Sequence, residues 1–228
     1  MTDDSGGIPR AEALDYVESV VETVEDERMP VPVREVWVYG DVALGLDPVE
    51  RVNVYVTKDM LVGDRQDPDA DAEFRAAHGV EGVGTTVRAD WAREHPDLLR
   101  TNDGGHVAPE KCLAAHLLPS DAPVHLEVCN TSFEDNVTQR LRGAMARDAY
   151  HEILDPRAAL LWVDDGTETG QCSEDAMAKL RDSAFAFPKL SEALAMLGVD
   201  GGEAERAARA LHDHRADQEG MTVRGDVV

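Results

Sequence analysis

Two short runs, Arg34–Tyr39 and Arg51–Thr57, constrain the fold most, because each reads as a β-strand. In a strand, successive side chains point to opposite faces. Val52, Val54 and Val56 therefore take one face, and Asn53 and Tyr55 take the other. The link between the runs, Gly40-Asp41-Val42-Ala43-Leu44-Gly45-Leu46-Asp47-Pro48, is punctuated by glycine and long for a hairpin. A third strand is expected at Pro123–Asn130, where His125, Glu127 and Cys129 share a face.

Around these strands the pattern is helical. Leu14, Val17, Val20, Val21 and Val24 make one apolar face of a helix from Arg10 to about Arg28, stopped by Pro30 and Pro32. Short helices are expected at Asp71–His78, Ala89–Arg100 and Pro109–Leu118, with a loop over 59–72 and turns at Gly79–Gly84 and Gly104-Gly105. Ser132 is placed to cap a long helix running to about Leu154. Ala158–Val163 is a strand or a buried helix, and 164–172 a polar loop. Three more helices follow: Ser173 to Phe185, Pro188 to Gly198, and Glu203–Arg215. The expected class is α+β (or α/β), a small mixed sheet with flanking helices followed by a mainly helical C-terminal portion. Residues 1–131 form the α/β core and 132–228 the helical part, either separate or packed with the core as one unit.

Charge narrows the setting. The 228 residues carry 46 acids against 22 lysines and arginines, a formal net charge of -24. Self-repulsion of that size strains a compact state. Salt removes most of it, since the Debye length falls to ~3 Å near 1 M. The acids are spread among apolar positions, which make up 43% of the chain, so a folded protein is expected rather than a disordered one. Lys58, Lys111, Lys179 and Lys189 are the only lysines. This acidic, lysine-poor composition resembles the proteins of halophilic archaea that accumulate salt, and the whole sequence resembles their uncharacterised proteins, a likeness that implies no activity. An extended nucleic-acid surface is not expected on so acidic a chain. No apolar run approaches the ~18 residues of a membrane span, and Met1-Thr-Asp-Asp is no signal peptide. Cys112, Cys129 and Cys172 lack a Cys-x-x-Cys spacing and suit reduced thiols. Together these point to a cytoplasmic protein.

Val36-Trp37-Val38-Tyr39-Gly40-Asp41, then Val52-Asn53-Val54-Tyr55-Val56, then Val124-His125-Leu126-Glu127-Val128-Cys129, resemble the core of the nucleotidyltransferases over the first half of the chain. That family pairs a strand ending in Gly-Ser with one carrying two alternate acids, and a later strand supplies a third. The resemblance implies a site at Asn53, Tyr55 and Glu127. Two metal ions ~3.5–4 Å apart would have to be held there, and magnesium wants anionic oxygens. Asn53 is neutral, and a tyrosine titrating near ~10 is neutral too. Asp41 stands where the family's serine meets the triphosphate, and its carboxylate would repel it. The core therefore reads as catalytically degenerate, with no metal and no cofactor. The alternative is an active nucleotidyltransferase using magnesium and an acid such as Asp41, Asp47 or Asp59.

Arg140, Arg142 and Arg147 have no acid three or four residues away on their own helix. Either they pair with carboxylates of the α/β part, Glu127 included, or they form a cationic pocket for a phosphate or carboxylate. Other constellations carry less. His125, Glu127 and Cys129 are each competent for zinc, Cys112 and His116 sit one helical turn apart, and Arg206 and His212 have the spacing of small helical RNases that partner nucleotidyltransferases. Trp37, Tyr39, Trp91 and Trp162 read as core or interface. The functional expectation is a non-catalytic binding or regulatory protein, holding a small anionic ligand or a protein partner at Arg140, Arg142, Arg147, Glu127, Asn53 and Tyr55.

Overall fold

The computed structural model describes residues 7–27, 29, 31–58, 87–88, 106–119, 122–164, 170–216 and 222–224. The helices expected at Asp71–His78 and Ala89–Arg100, the loop and turns between residues 59 and 105, Trp91 and Asp59 lie outside the described residues.

Helix α1 (Arg10–Asp26) buries Ala13, Val17, Val20, Val21 and Val24 along one stripe. Strands β1 (Val33–Tyr39) and β2 (Val52–Lys58) pair antiparallel, with Val36 opposite Val56 and Tyr39 opposite Asn53. The long link does close a hairpin, because it folds on itself. The Leu44 N–H donates to the Gly40 carbonyl at 2.9 Å and the Leu46 N–H to that of Asp41 at 3.0 Å. Gly40 and Gly45 supply the positive φ this needs, 72° and 73°. Val42, Ala43 and Val49 tuck into the core beneath.

β3 (Val87–Arg88) and β4 (His106–Val107) form a separate two-stranded ladder. After α2 (Pro109–Leu117), strand β5 (Val124–Cys129) runs parallel to β2, with Asn53 opposite His125 and Tyr55 opposite Glu127. Helix α3 (Phe133–Arg147) is capped by Ser132, whose Oγ accepts from the Asp135 N–H at 3.3 Å. It stops at Arg147, short of the expected Leu154. Asp148 turns left-handed at φ 56° and returns its N–H to the helix carbonyls, and a 3-10 turn at Tyr150–Glu152 follows.

Ala158–Val163 is strand β6, antiparallel to β1, and β7 (Gln171–Cys172) pairs with it where the sequence suggested only a loop. Helices α4 (Glu174–Arg181), α5 (Leu190–Met196) and α6 (Gly201–Ala216) come next, and β8 (Thr222–Arg224) lies parallel to β5. Helix α4 ends four residues before Phe185 because Ser183 takes a positive φ of 52°. The mixed sheet has the order β7-β6-β1-β2-β5-β8, and the fold is α+β. Strands from both sides of residue 131 hydrogen-bond within it.

The two faces of this sheet differ. Val36, Val38, Val52, Val54, Val56, Val124, Leu126 and Val128 pack with α1, α2 and α4 into the main core. The other face carries Tyr39, Tyr55 and Cys129 against Phe133, Val137 and Leu154. Phe133 is the pivot of this layer, stacked on Trp37 at 4.9 Å and edge-on to Tyr55 at 5.2 Å. Leu141, Ala144, Ile153, Leu194 and Leu211 join α3 to α5, α6 and the 3-10 turn. No helix of the described residues is long and apolar enough to cross a membrane.

Candidate functional site

Period-2 geometry puts Asn53, Tyr55, His125 and Glu127 on the aromatic face, under α3, and Glu127 is its centre. Its side chain is only 4% exposed. Burying a carboxylate there is costly unless it is paired and hydrogen-bonded. The fold supplies three partners. The Arg140 Nη1 donates to Oε2. The Tyr39 hydroxyl donates to Oε1 at 3.0 Å, and His125 Nε2 lies 3.1 Å from the same oxygen. Burial pushes the carboxyl pKa upward, but the His125 hydrogen bond and the Arg140 charge outweigh it and hold Glu127 at about 2. Arg140 is fixed in turn, its Nε donating to the Glu152 carbonyl at 3.1 Å.

Tyr55 is fully buried, and its hydroxyl donates to the Thr131 carbonyl at 2.7 Å while accepting from Asn136 Nδ2 at 2.9 Å. Burial, then the neighbouring Cys129, raise its pKa further, so the phenol stays neutral. Asn53 is buried and donates to the Arg51 carbonyl at 3.3 Å. Of the six expected site residues, Asn53, Tyr55, Glu127 and Arg140 come together. Arg147 instead pairs with Glu152 at the surface, and Arg142 is exposed with no ion pair among the described residues. The three arginines therefore do not form one cationic pocket.

The other constellations resolve similarly. Asn136 Nδ2 contacts Cys129 Sγ at 3.3 Å, and among the described residues no group of three or more His, Cys, Asp or Glu side chains is arranged to hold a metal. Cys112 is fully buried, and burial pushes its thiol up to about 12, which removes the thiolate a nucleophile needs. His116 pairs with Glu27 at 3.1 Å. The carboxylate of Asp41 accepts from the Glu50 N–H at 3.1 Å, and that of Asp47 from the Arg10 N–H at 3.2 Å. Both acids thus brace the hairpin link.

Among the described residues, two cavities adjoin this layer. The one at Glu127, walled by Tyr39, His125, Arg140, His151 and His214, holds only about 60 Å³. The other is an open cleft of about 410 Å³. Its lining combines the cations Arg51 and Arg157, the acids Asp41 and Glu50, and an apolar set that includes Leu44, Leu46 and Leu190. Asn53 borders both. Sequence reasoning missed Tyr39 as a ligand of Glu127, and missed Arg51 and Arg157 altogether. The only available signal was Arg157 two residues after Asp155, an acid that proves to be fully buried beneath it.

No curated protein and no solved structure matches the chain. The sequence profile described as "Family of unknown function (DUF7095)" matches residues 9–228, nearly the whole chain, and the protein therefore belongs to the DUF7095 family.

Proposed function

We propose that the protein is a non-catalytic binding or regulatory protein of a salt-rich cytoplasm, built on a degenerate nucleotidyltransferase-like core, and that its ligand is a small anion. One observation carries this reading: both oxygens of Glu127 are taken up by Arg140, Tyr39 and His125. A carboxylate neutralised in that way, flanked by the neutral Asn53 and Tyr55, offers too little negative oxygen for a pair of divalent ions. The nucleotidyltransferase alternative needs other acids, and Asp41 and Asp47 are engaged with backbone N–H groups of the hairpin link and α1.

The test is label transfer from radiolabelled nucleoside triphosphates with magnesium or manganese in molar KCl, on the full chain. The expected result is no transfer above background. Transfer that disappears in Glu127→Gln would overturn the reading in favour of an active transferase.

A further inference from the structure

We propose that the cleft between the hairpin link and helices α5 and α6 binds a small molecule with one oxyanion on an apolar body. This rests on the reading of the protein as a binder and names the place and class of its ligand.

Size selects this cleft over the cavity at Glu127. About 60 Å³ suits ordered water, whereas about 410 Å³ falls in the range of small-molecule sites. The lining selects the ligand. Such sites are mainly apolar with a few convergent polar groups, and here Leu44, Leu46, Pro48 and Leu190 offer the apolar wall. Two guanidinium-bearing residues belong to the lining, Arg51, which has a further interaction of its own, and Arg157. Arg51 is 6% exposed, so its side chain is largely withdrawn from water. Burial lowers its pKa from the ordinary guanidinium value. The Arg157 side chain is 13% exposed and is fixed by a two-point fork on Asp155, Nε at 3.0 Å and Nη2 at 2.8 Å.

That fork leaves Nη1 of Arg157 with no protein partner among the described residues. A guanidinium held rigid by one carboxylate presents its remaining N–H groups at little further entropic cost, and its flat geometry matches a carboxylate or phosphate. Asn53 adds a neutral amide to the lining, its Nδ2 donating to the Arg51 carbonyl at 3.3 Å. The acids of the lining work in the opposite sense: Glu50 is exposed, and Asp41 is turned onto the Glu50 N–H. A ligand carrying several negative charges would bring some of them near Asp41 and Glu50. A ligand with a single oxyanion at Arg157 limits this repulsion, and its apolar remainder suits the leucines of the lining.

The experiment compares four probes on the full chain in molar KCl by calorimetry and thermal shift. Phenylacetate and phenyl phosphate carry an oxyanion on an apolar body. Inorganic phosphate has the oxyanion alone, and phenylacetamide the body alone. At least one of the first two is expected to bind tenfold or more tightly than both of the others, and the preferred one identifies the oxyanion. Arg157→Lys, which keeps the charge and loses the fork, is expected to weaken binding about tenfold. Leu46 lines the cleft and is half exposed, so Leu46→Asp is expected to weaken it as much without altering the melting temperature of the free protein.

Equal binding of phenylacetamide, equal binding of inorganic phosphate, undiminished binding by Arg157→Lys or by Leu46→Asp, or no binding of any probe would each overturn the inference. If no probe binds and no nucleotide label is transferred, the cleft assignment fails while the non-catalytic reading stands. Label transfer would remove that reading whatever the probes do.

Discussion

Arg140, in the middle of α3, reaches Glu127 in the central sheet, and its Nη1 donates to Oε2 while its Nε holds the Glu152 carbonyl at 3.1 Å. One side chain thus joins three elements: the helix, the sheet and the 3-10 turn. A buried pair like this is expensive to break from one side, because the other charge is stranded, at roughly 3–5 kcal/mol. Arg140→Ala should cost about that much in denaturant unfolding measured in molar KCl. Arg142→Ala, an exposed residue of the same helix, should stay within about 0.5 kcal/mol. Equal effects from the two would show that Arg140 acts by position on the helix and not through Glu127.

Acid should undo the same pair. Glu127 sits near pH 2 in the folded protein, against an ordinary value of 4.5, so folding depresses its pKa. The stability it contributes is complete above about 4.5 and is lost as pH falls toward 2. The difference in unfolding free energy between wild type and Glu127→Gln should therefore be constant from neutrality to about pH 5 and narrow below it. A difference that holds steady down to pH 2 would show that the carboxylate is not held ionised by His125 and Arg140.

Tyr55 separates a structural role from a binding one. Its hydroxyl serves the Thr131 carbonyl at 2.7 Å and the Asn136 amide at 2.9 Å, and it does not border the open cleft. Tyr55→Phe should cost about 1–3 kcal/mol, because it leaves buried polar groups without a partner. Affinity for phenylacetate or phenyl phosphate should be unchanged. A loss of affinity with stability intact would put Tyr55 in the ligand site.

How much of this was readable depended on how local the signal was. The alternation of Val52, Val54 and Val56 with Asn53 and Tyr55 declares two sheet faces, and His125 and Glu127 fall on the second by the same rule. That Arg140 lacks an acid three or four residues away leaves it to seek one elsewhere, and Glu127 was a candidate from sequence. Pairing order was not readable. β6 docks beside β1 across more than a hundred residues, and no local pattern encodes that choice. The cleft was missed for the same reason, since Arg51, Arg157, Leu190 and His212 meet only after the helical part folds over the hairpin link. Helix ends were missed where polar residues adopt positive φ, at Asp148 and Ser183, positions that glycine would have announced.

Gly45 is the residue on which the shape of that link turns. Its φ is +73°, and a Cβ built there would come within 2.9 Å of the Ser183 Cβ. Ser183 is itself held, with its Oγ accepting from Arg10 Nε at 3.0 Å. Gly45→Ala combines backbone strain with a contact that cannot easily yield, so a loss of about 1–3 kcal/mol is expected. Gly198 also has positive φ, +93°, but nothing lies within 4 Å of its added Cβ. Gly198→Ala should show the backbone part alone and cost less. If the two substitutions cost the same by thermal unfolding, the contact with Ser183 contributes nothing.

Salt tests the setting inferred from composition. A formal net charge of -24 on 228 residues opposes compaction, and screening relieves it over a Debye length that shrinks from ~10 Å at 0.1 M to ~3 Å at 1 M. The melting temperature should therefore climb markedly from 0.1 M to molar KCl. Self-repulsion and specific cation binding differ in what replaces potassium. Repulsion answers to ionic strength, so NaCl at equal concentration should stabilise to within a few degrees of KCl. A flat response would mean that the acids are spaced widely enough to be tolerated in dilute buffer, and the inferred salt-rich interior would lose its physical basis.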